Sequence, residues 1–469
     1  MSCGALRSLA VLALPAILTL SGCMVGPNYH RPQQAFPEQF RNAPAAGGAA
    51  SVGDVKWVDL FRDDVLTQLV QTALQQNFDV QIAAERVLEA RAQVGLTRSQ
   101  LFPTLDLPAG FTASQASAIG AFPFPSRQPF RTAYTQAGLS FAWELDLWGR
   151  VRRLTEAARA QYLATEEAQL GVRLSLIADV MNSYFALREQ DLELEIARQT
   201  RDAAQQSLHL MQLRKDRGAA SGLEVHQAEQ FLYTATVQIA STERAINESE
   251  NALSLLLGNA PGTIQRGAAL EQLTGPPELP PGLPASLLER RPDIRQAEEN
   301  LIAANAQIGA ARALFFPQIS LTGFVGGQSS ALTELLTAPA RMASISPSMT
   351  VPIFNAGLRA GLNLTEAQER EMLVTYRKSI YSALREVSDA LAAHEKTHEQ
   401  RQEEEKLVTA LSESVRLSNL RYRGGLDSYL QVLDAERNLF GGQLTLAQLK
   451  LIELQAVVQL YRALGGGWQ

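Results

Sequence analysis

The chain has 469 residues, 46% hydrophobic and 19% charged, enough apolar surface for large cores and too ordinary a composition for a disordered chain. Its net charge of −6 gives no sign of the basic face that a nucleic-acid partner requires. Cys3 and Cys23 are the only cysteines, which rules out a disulfide framework.

In chain order the first element is a leader. Arg7 precedes an apolar stretch from Leu9 to Leu20, and Leu20-Ser21-Gly22-Cys23 closes it, the charged, apolar and small-residue zones of a secretory signal. The stretch is too short to cross a bilayer, which takes roughly 20 apolar residues. Those last four residues also match a lipoprotein box. On that reading residues 1–22 are a signal peptide and Cys23 is the lipidated first residue of the mature chain. Met24 in place of an aspartate matches lipoproteins sorted to the outer membrane.

The interior is duplicated, a feature to settle before any local reading. Residues 92–103 read Ala-Gln-Val-Gly-Leu-Thr-Arg-Ser-Gln-Leu-Phe-Pro, and residues 306–317 read Ala-Gln-Ile-Gly-Ala-Ala-Arg-Ala-Leu-Phe-Phe-Pro. Later, Arg217-Gly218 and Ala228-Glu229 find counterparts in Arg423-Gly424 and Ala435-Glu436. The expected organisation is a first repeat over 23–257, a Pro- and Gly-rich connector over 258–285, and a second repeat over 286–469.

Each repeat runs through the same elements. A helix ends at Phe102-Pro103 or Phe316-Pro317, where proline removes a donor and disfavours helix before it. A strand pair follows, at about 104–147 and 318–354. In the first pair Leu139, Phe141, Trp143, Leu145 and Leu147 alternate with small or polar residues; in the second, Ala343, Ile345, Pro347, Met349, Val351 and Ile353 do so. Period-two patterning puts one face on apolar surroundings and the other on water. Phe122, Phe124, Phe130, Tyr134, Trp143 and Trp148 lie in or beside the first pair, where aromatic residues can girdle a membrane barrel.

Long helices then run from about Arg150 to Arg217 and from Leu358 to Arg423, each returning after a Gly-containing turn. A helix of that size is ~100 Å long, beyond the diameter of a globular domain. Leu170, Leu174, Ile177, Met181 and Tyr184 follow coiled-coil spacing, with Val172, Leu176, Val180 and Leu187 as a second stripe. Two stripes call for neighbours on two sides, as in a ring of helices. The expected fold is mainly α, with a four-stranded sheet per chain. A sheet that spans a bilayer must close on itself. Four strands cannot close, eight leave an interior filled by side chains, and twelve leave a lumen, so a homotrimer with a twelve-stranded barrel is the smallest conducting assembly.

The run Cys23-Met24-Val25-Gly26-Pro27-Asn28-Tyr29-His30-Arg31-Pro32, the segment Leu288-Glu289-Arg290-Arg291-Pro292-Asp293-Ile294, the two Ala-Gln-x-Gly segments, and Arg421-Tyr422-Arg423-Gly424-Gly425 before Leu433-Asp434-Ala435 resemble outer membrane efflux proteins of the TolC and OprM type, in the lipoprotein subgroup often called NodT. The resemblance spans nearly the whole mature chain. It implies a trimeric outer membrane exit duct for drugs or other small molecules, lipid-anchored and extending into the periplasm as a twelve-helix α-barrel. Its implied partners are a periplasmic adaptor and an inner membrane pump of the resistance-nodulation-division class. It implies no enzyme activity and no cofactor. A protein-secretion duct and a pore-less coiled-coil scaffold are the competing readings; the amphipathic strands oppose the scaffold.

Two constellations remain. His394-Glu395-Lys396-Thr397-His398 matches the H-E-x-x-H zinc motif. A catalytic zinc site needs a third protein ligand and a sheltered cleft, whereas a highly charged segment follows here and both histidines continue the apolar stripe of Ile380, Leu384, Val387 and Leu391. The motif is read as coincidence, with no metal. By contrast, Leu430, Asp434 and Arg437 stand at i, i+4 and i+7 on one helical face. The resemblance puts the family's periplasmic gate at these residues, and the turns at Gly218, Gly222, Gly424 and Gly425 at its adaptor contact. The first repeat has Leu223, Gln227 and Gln230 at the matching positions and lacks the charges.

Overall fold

A computed structural model describes residues 24–43, 51–117, 131–273 and 280–466. Cys23 and the signal segment lie outside the described residues, as do Phe122, Phe124 and Phe130. The helices are α1 (Asp64–Gln76), α2 (Phe78–Ser99), α3 (Arg150–Asp216), α4 (Gly222–Leu256), α5 (Pro292–Ala313), α6 (Ala356–Arg423) and α7 (Tyr429–Ala463), and a single turn, Leu287–Arg290, precedes α5. The strands are β1 (Thr104–Asp106), β2 (Ala109–Gln115), β3 (Arg131–Leu145), β4 (Gln318–Ser329) and β5 (Arg341–Thr350).

The described residues fall into two compact units, one within Met1–Pro32, Leu88–Ala164 and Glu298–Thr375, the other within Gln33–Val87, Thr165–Ala297 and Tyr376–Gln469. The first holds the sheet, which is antiparallel in the order β1-β3-β4-β5. β2 also pairs with β3, beyond β1 on the same edge. The first strand of the expected four is therefore broken in two at Leu107-Pro108, because Pro108 has no amide to donate to the ladder.

Register carries the sequence pattern across the whole sheet. Leu105, Phe141 and Gly323 align with Ile345; Leu139, Val325 and Ala343 align one step along, and Leu145, Ile319 and Met349 another way. All stand on one face, since cross-strand partners share a side. Ser140, Phe324 and Ser344, then Glu144, Ser320 and Ser348, share the other. Leu139, Trp143, Val325, Ile345 and Met349 are exposed. The alternation read to Leu147 and Ile353 outruns both strands. β3 stops at Leu145 because Asp146 turns to cap α3, its carboxylate accepting from the Val151 and Arg152 amides at 3.0 and 2.9 Å; β5 stops before Pro352.

A short strap, Met24–Pro32, lies in the same unit. Val25 N donates to the Trp148 carbonyl at 3.1 Å. Arg153, 1% exposed, donates from Nε to Val25 O at 3.3 Å and from Nη2 to Gly26 O at 3.4 Å and Asn28 Oδ1 at 2.8 Å, while its Nη1 meets Glu156 at 2.8 Å. Farther along, Arg31 forks onto Glu298 at 2.6 and 2.8 Å. Trp143 Nε1 donates to Leu101 O at 3.0 Å and Trp148 Nε1 to Pro317 O at 2.7 Å. These two tryptophans thus tie the helix-proximal end of the sheet to the chain leaving α2 and α5.

The second unit buries both stripes of α3: Leu174, Ile177, Met181 and Tyr184 of one, and Leu176, Val180 and Leu187 of the other. The described residues that follow α4 are pinned to this unit. Arg266 pairs with Asp191 at 3.1 Å and with Glu250; Gly267 N donates to the Tyr184 hydroxyl at 2.9 Å and Ala268 N to Asp63 at 3.0 Å.

Candidate functional site

The two helix turns are built alike. Gly218 (φ +74°) and Gly425 (φ +72°) occupy the left-handed conformation, and the next residue of each closes the turn: Ala219 N donates to Arg214 O at 2.7 Å and Leu426 N to Arg421 O at 2.9 Å. This is the glycine C-cap of a Schellman motif. It corrects the repeat register. Gly218 is equivalent to Gly425 rather than to Gly424, and Ser221 and Ser428, the N-caps of α4 and α7, keep the same spacing. Gly222 and Gly424 have no positive φ and no backbone need for glycine. The turns differ in how they close. Ser221 and Glu224 form a reciprocal capping box, whereas Arg421 forks onto Asp427 at 2.5 and 3.1 Å.

Above the turns an apolar cluster packs α3 and α4 against α6 and α7, drawing on Met211, Val225, Phe231, Tyr422, Tyr429, Val432, Leu433 and Phe440. Phe231 and Phe440 meet edge to face at 6.5 Å. The Arg214 guanidinium lies 4.8 Å from the centre of the Tyr422 ring, whose hydroxyl donates to Met211 Sδ at 3.3 Å. Since Tyr429, Val432 and Leu433 face inward, α7 turns Leu430, Asp434 and Arg437 to the outside; Leu430 is 49% exposed. The three share a face as the spacing predicts. No ion pair joins Asp434 to Arg437 within the helix: Asp434 accepts only from Asn438 Nδ2, at 3.3 Å, among the hydrogen bonds of the described residues. Glu436, between them in sequence, points the other way. Burial pushes its carboxyl above the ordinary range, partly offset by a hydrogen bond from Asn419. Sequence reasoning missed Arg421–Asp427, Glu436 and the Arg214–Tyr422 contact; the Tyr-x6-Tyr spacing across the turn was the one available signal.

The histidine pair in α6 has different surroundings. His398 Nδ1 meets Glu453 at 2.7 Å and its Nε2 meets Gln402 at 2.8 Å. Arg401 takes the other Glu453 oxygen at 2.5 Å. His394 is half-buried, and desolvation pushes its imidazole below the ordinary range. Glu453 is a carboxylate that the sequence did not bring to this motif, but its oxygens already serve His398 and Arg401. Among the described residues no group of three His, Cys, Asp or Glu side chains is arranged to hold a metal. The double variant His394→Ala, His398→Ala is expected to fold and function like the parent. Purified protein carrying one zinc per chain, lost in that variant, would revive a metal site.

A sheet with one apolar face and two edges unpaired among the described residues, joined to helices of nearly 70 residues, defines a class: an outer membrane channel subunit with a helical periplasmic extension. Residues 69–259 and 283–466 match the model of the outer membrane efflux protein family, and the chain belongs to that family. It is 40% identical over 464 residues to the solvent efflux pump outer membrane protein SrpC of Pseudomonas putida, covering 97% of this chain and 98% of that one. Identity to the cation efflux system protein CusC of Escherichia coli is 36%, over 96% and 97% of the two chains. The open state of the Neisseria gonorrhoeae MtrE outer membrane channel superposes with a TM-score of 0.84 at 31% identity, covering 95% of this chain and 99% of that one. The protein is therefore an outer membrane channel component of a tripartite efflux pump, located in the outer membrane and reaching into the periplasm, and not an enzyme.

Proposed function

We propose that three copies of the chain close one twelve-stranded barrel and one helical tunnel, gated at the periplasmic tip by Leu430, Asp434 and Arg437. The observation that carries the assembly is the sheet. Its apolar face is exposed, and the β1/β2 and β5 edges have no partner among the described residues. In hydrocarbon such edges are too costly unless another strand pairs with them. Three equivalent sheets joined edge to edge remove every free edge and leave a lumen. Planar-bilayer recording of the purified protein tests this: small gated conductance steps are expected, and a detergent-stable trimer with no conductance would overturn it.

The adaptor docks on the turns at Gly218 and Gly222 and at Gly424 and Gly425. Space around Gly218, Gly222 and Gly425 is open, which supports their use as a contact surface. The pump is of the resistance-nodulation-division class, and the cargo is small molecules rather than protein, as the solvent and cation named for the relatives support.

Cys23 carries the lipid. Cys23→Ala is expected to abolish fatty-acid labelling while the barrel still forms, because strand pairing and not the lipid satisfies the backbone in the membrane. Labelling that survives the substitution would place the lipid elsewhere.

A further inference from the structure

We infer that Arg91 and Arg98 of α2 and Arg159 of α3 form a binding site for the phosphate of an anionic phospholipid in the periplasmic leaflet; this rests on the outer membrane reading. The three arginines line one groove of about 820 Å³ with Gly95, Thr155 and Tyr162. None of the three makes an ion pair within the chain among the described residues, so the groove concentrates three guanidinium groups without a carboxylate. Arginine matches phosphate oxygens in a forked geometry, which makes it the residue suited to such an anion.

Comparison of the repeats isolates the feature. Arg98 is the counterpart of Arg312, as Gly95 is of Gly309, in the duplicated Ala-Gln-x-Gly segments. The corrected register of the long helices makes Arg159 the counterpart of Glu366. In the second repeat Arg312 pairs with Glu366 at 3.1 Å. In the first repeat that carboxylate is replaced by a guanidinium, and the same groove becomes purely cationic. A notch is left open too: a side chain at Gly309 would collide with Arg153 and the strap, whereas nothing lies within 4 Å at Gly95.

Position decides between a lipid and a neighbouring copy. On α2 the exposed apolar residues Phe78, Ile82, Leu88 and Leu96 form the face left for another chain. At 100° per residue their mean direction lies roughly 140° from that of Arg91 and Arg98, and Glu85 and Glu89 share the apolar side. The arginines therefore turn away from the face that a second copy covers. Arg159 follows Glu156 by three residues, about 60° round α3, and Glu156 holds the Arg153 guanidinium that grips the strap. The strap leads to Cys23, so its side of the helices faces lipid rather than lumen. Arg98 stands six residues before β1, next to the end of the sheet where Trp143 is tied to Leu101. That is headgroup depth, where anionic lipid attracts basic side chains.

Arg159→Glu rebuilds the pairing of the second repeat and should fold as well as the parent. The full-length trimer would be exchanged into micelles containing equal phosphatidylglycerol and phosphatidylcholine, and retained lipid read by native mass spectrometry. The parent is expected to retain phosphatidylglycerol preferentially, and Arg159→Glu to lose about tenfold of that preference with unchanged conductance. Equal retention of both lipids by the parent, or an unaltered preference in Arg159→Glu, would overturn the assignment. So would displacement of the retained lipid by millimolar inorganic phosphate, which would mark a free-anion site. Dissociation of the Arg159→Glu trimer would assign the arginines to a contact between copies instead. Absence of conductance in parent and variant alike would reject the channel reading itself, which separates the two failures.

Discussion

Arg153→Ala is expected to destabilise the sheet-bearing unit by about 3–5 kcal/mol, the usual cost of removing one partner from a buried charged network. The guanidinium is almost wholly buried and satisfies Val25 O, Gly26 O and Asn28 Oδ1 on the strap as well as Glu156 on its own helix. Truncation strips all four acceptors of one donor group and leaves a void where water reaches them poorly. Arg153→Lys should recover only part of the loss, because a single ammonium cannot span the fork. A second variant approaches the same contact from the other side. Gly26 (φ +104°) lies so close to α5 that a side chain on it would come within 2.4 Å of Gly309 Cα, and one on Gly309 within 2.8 Å of Val25 O. Gly309→Ala should therefore push both the strap and the Arg153 side chain off α5 without removing any polar group of the network. Both effects are read as a lowered melting temperature of the assembled trimer and as protease cleavage near residue 32. If both variants melt with the parent and resist cleavage, the strap is a passive tail and the network adds nothing.

The strap shows why sequence reading reached the architecture and not this contact. The long helices were legible because Leu174, Ile177, Met181 and Tyr184 repeat at coiled-coil spacing, and each is buried where that spacing places it. Strand faces were legible because a period of two survives any uncertainty in length. Arg153, in contrast, sits in the run Arg150-Val151-Arg152-Arg153, which reads as a solvated helix start. Its partners on the strap are more than 120 residues away, and no local pattern reports such a distance. The break at Pro108 was equally hidden, since the residue lies two positions before Gly110, where a turn also fits. At the tip, the face of Leu430, Asp434 and Arg437 follows from helical geometry alone, but the fork between Arg421 and Asp427 depends on the turn that Gly425 shapes. One-residue errors in repeat alignment matter there: pairing Gly218 with Gly424 misassigns the residue that holds the left-handed conformation.

Asp434→Ala or Arg437→Ala is expected to make the resting channel leak. The structure narrows the reason. Asp434 and Arg437 make no ion pair along their own helix, and among the described residues Asp434 keeps only a long contact to Asn438. Both point away from the buried cluster, and on the proposed gate the charged partner of either comes from another copy. In the proposed gate, threefold symmetry would bring three carboxylates toward the axis, where they repel unless cations from the neighbouring tips answer them. Each exposed pair contributes only ~0 to 1 kcal/mol, and three together hold a closed state that an adaptor can still open, since a strongly bistable tip would demand several kcal/mol of differential binding. Leu430, 49% exposed, would add a dry ring beside the charges of that gate. Because Gln227 and Gln230 replace the charges in the first repeat, the electrostatic part of the seal belongs to α7 alone, and substitutions at those glutamines should leak less. Single-channel conductance of the purified trimer reads the gate directly, and sensitivity of cells to a large hydrophilic antibiotic reads it in the membrane. The double variant should leak no more than the worse single one, because both remove the same contact. Wild-type conductance and sensitivity in an assembled Asp434→Ala or Arg437→Ala trimer would mean that this face is solvated surface. Leak that simply adds in the double variant would mean that the two residues close the tip through separate partners.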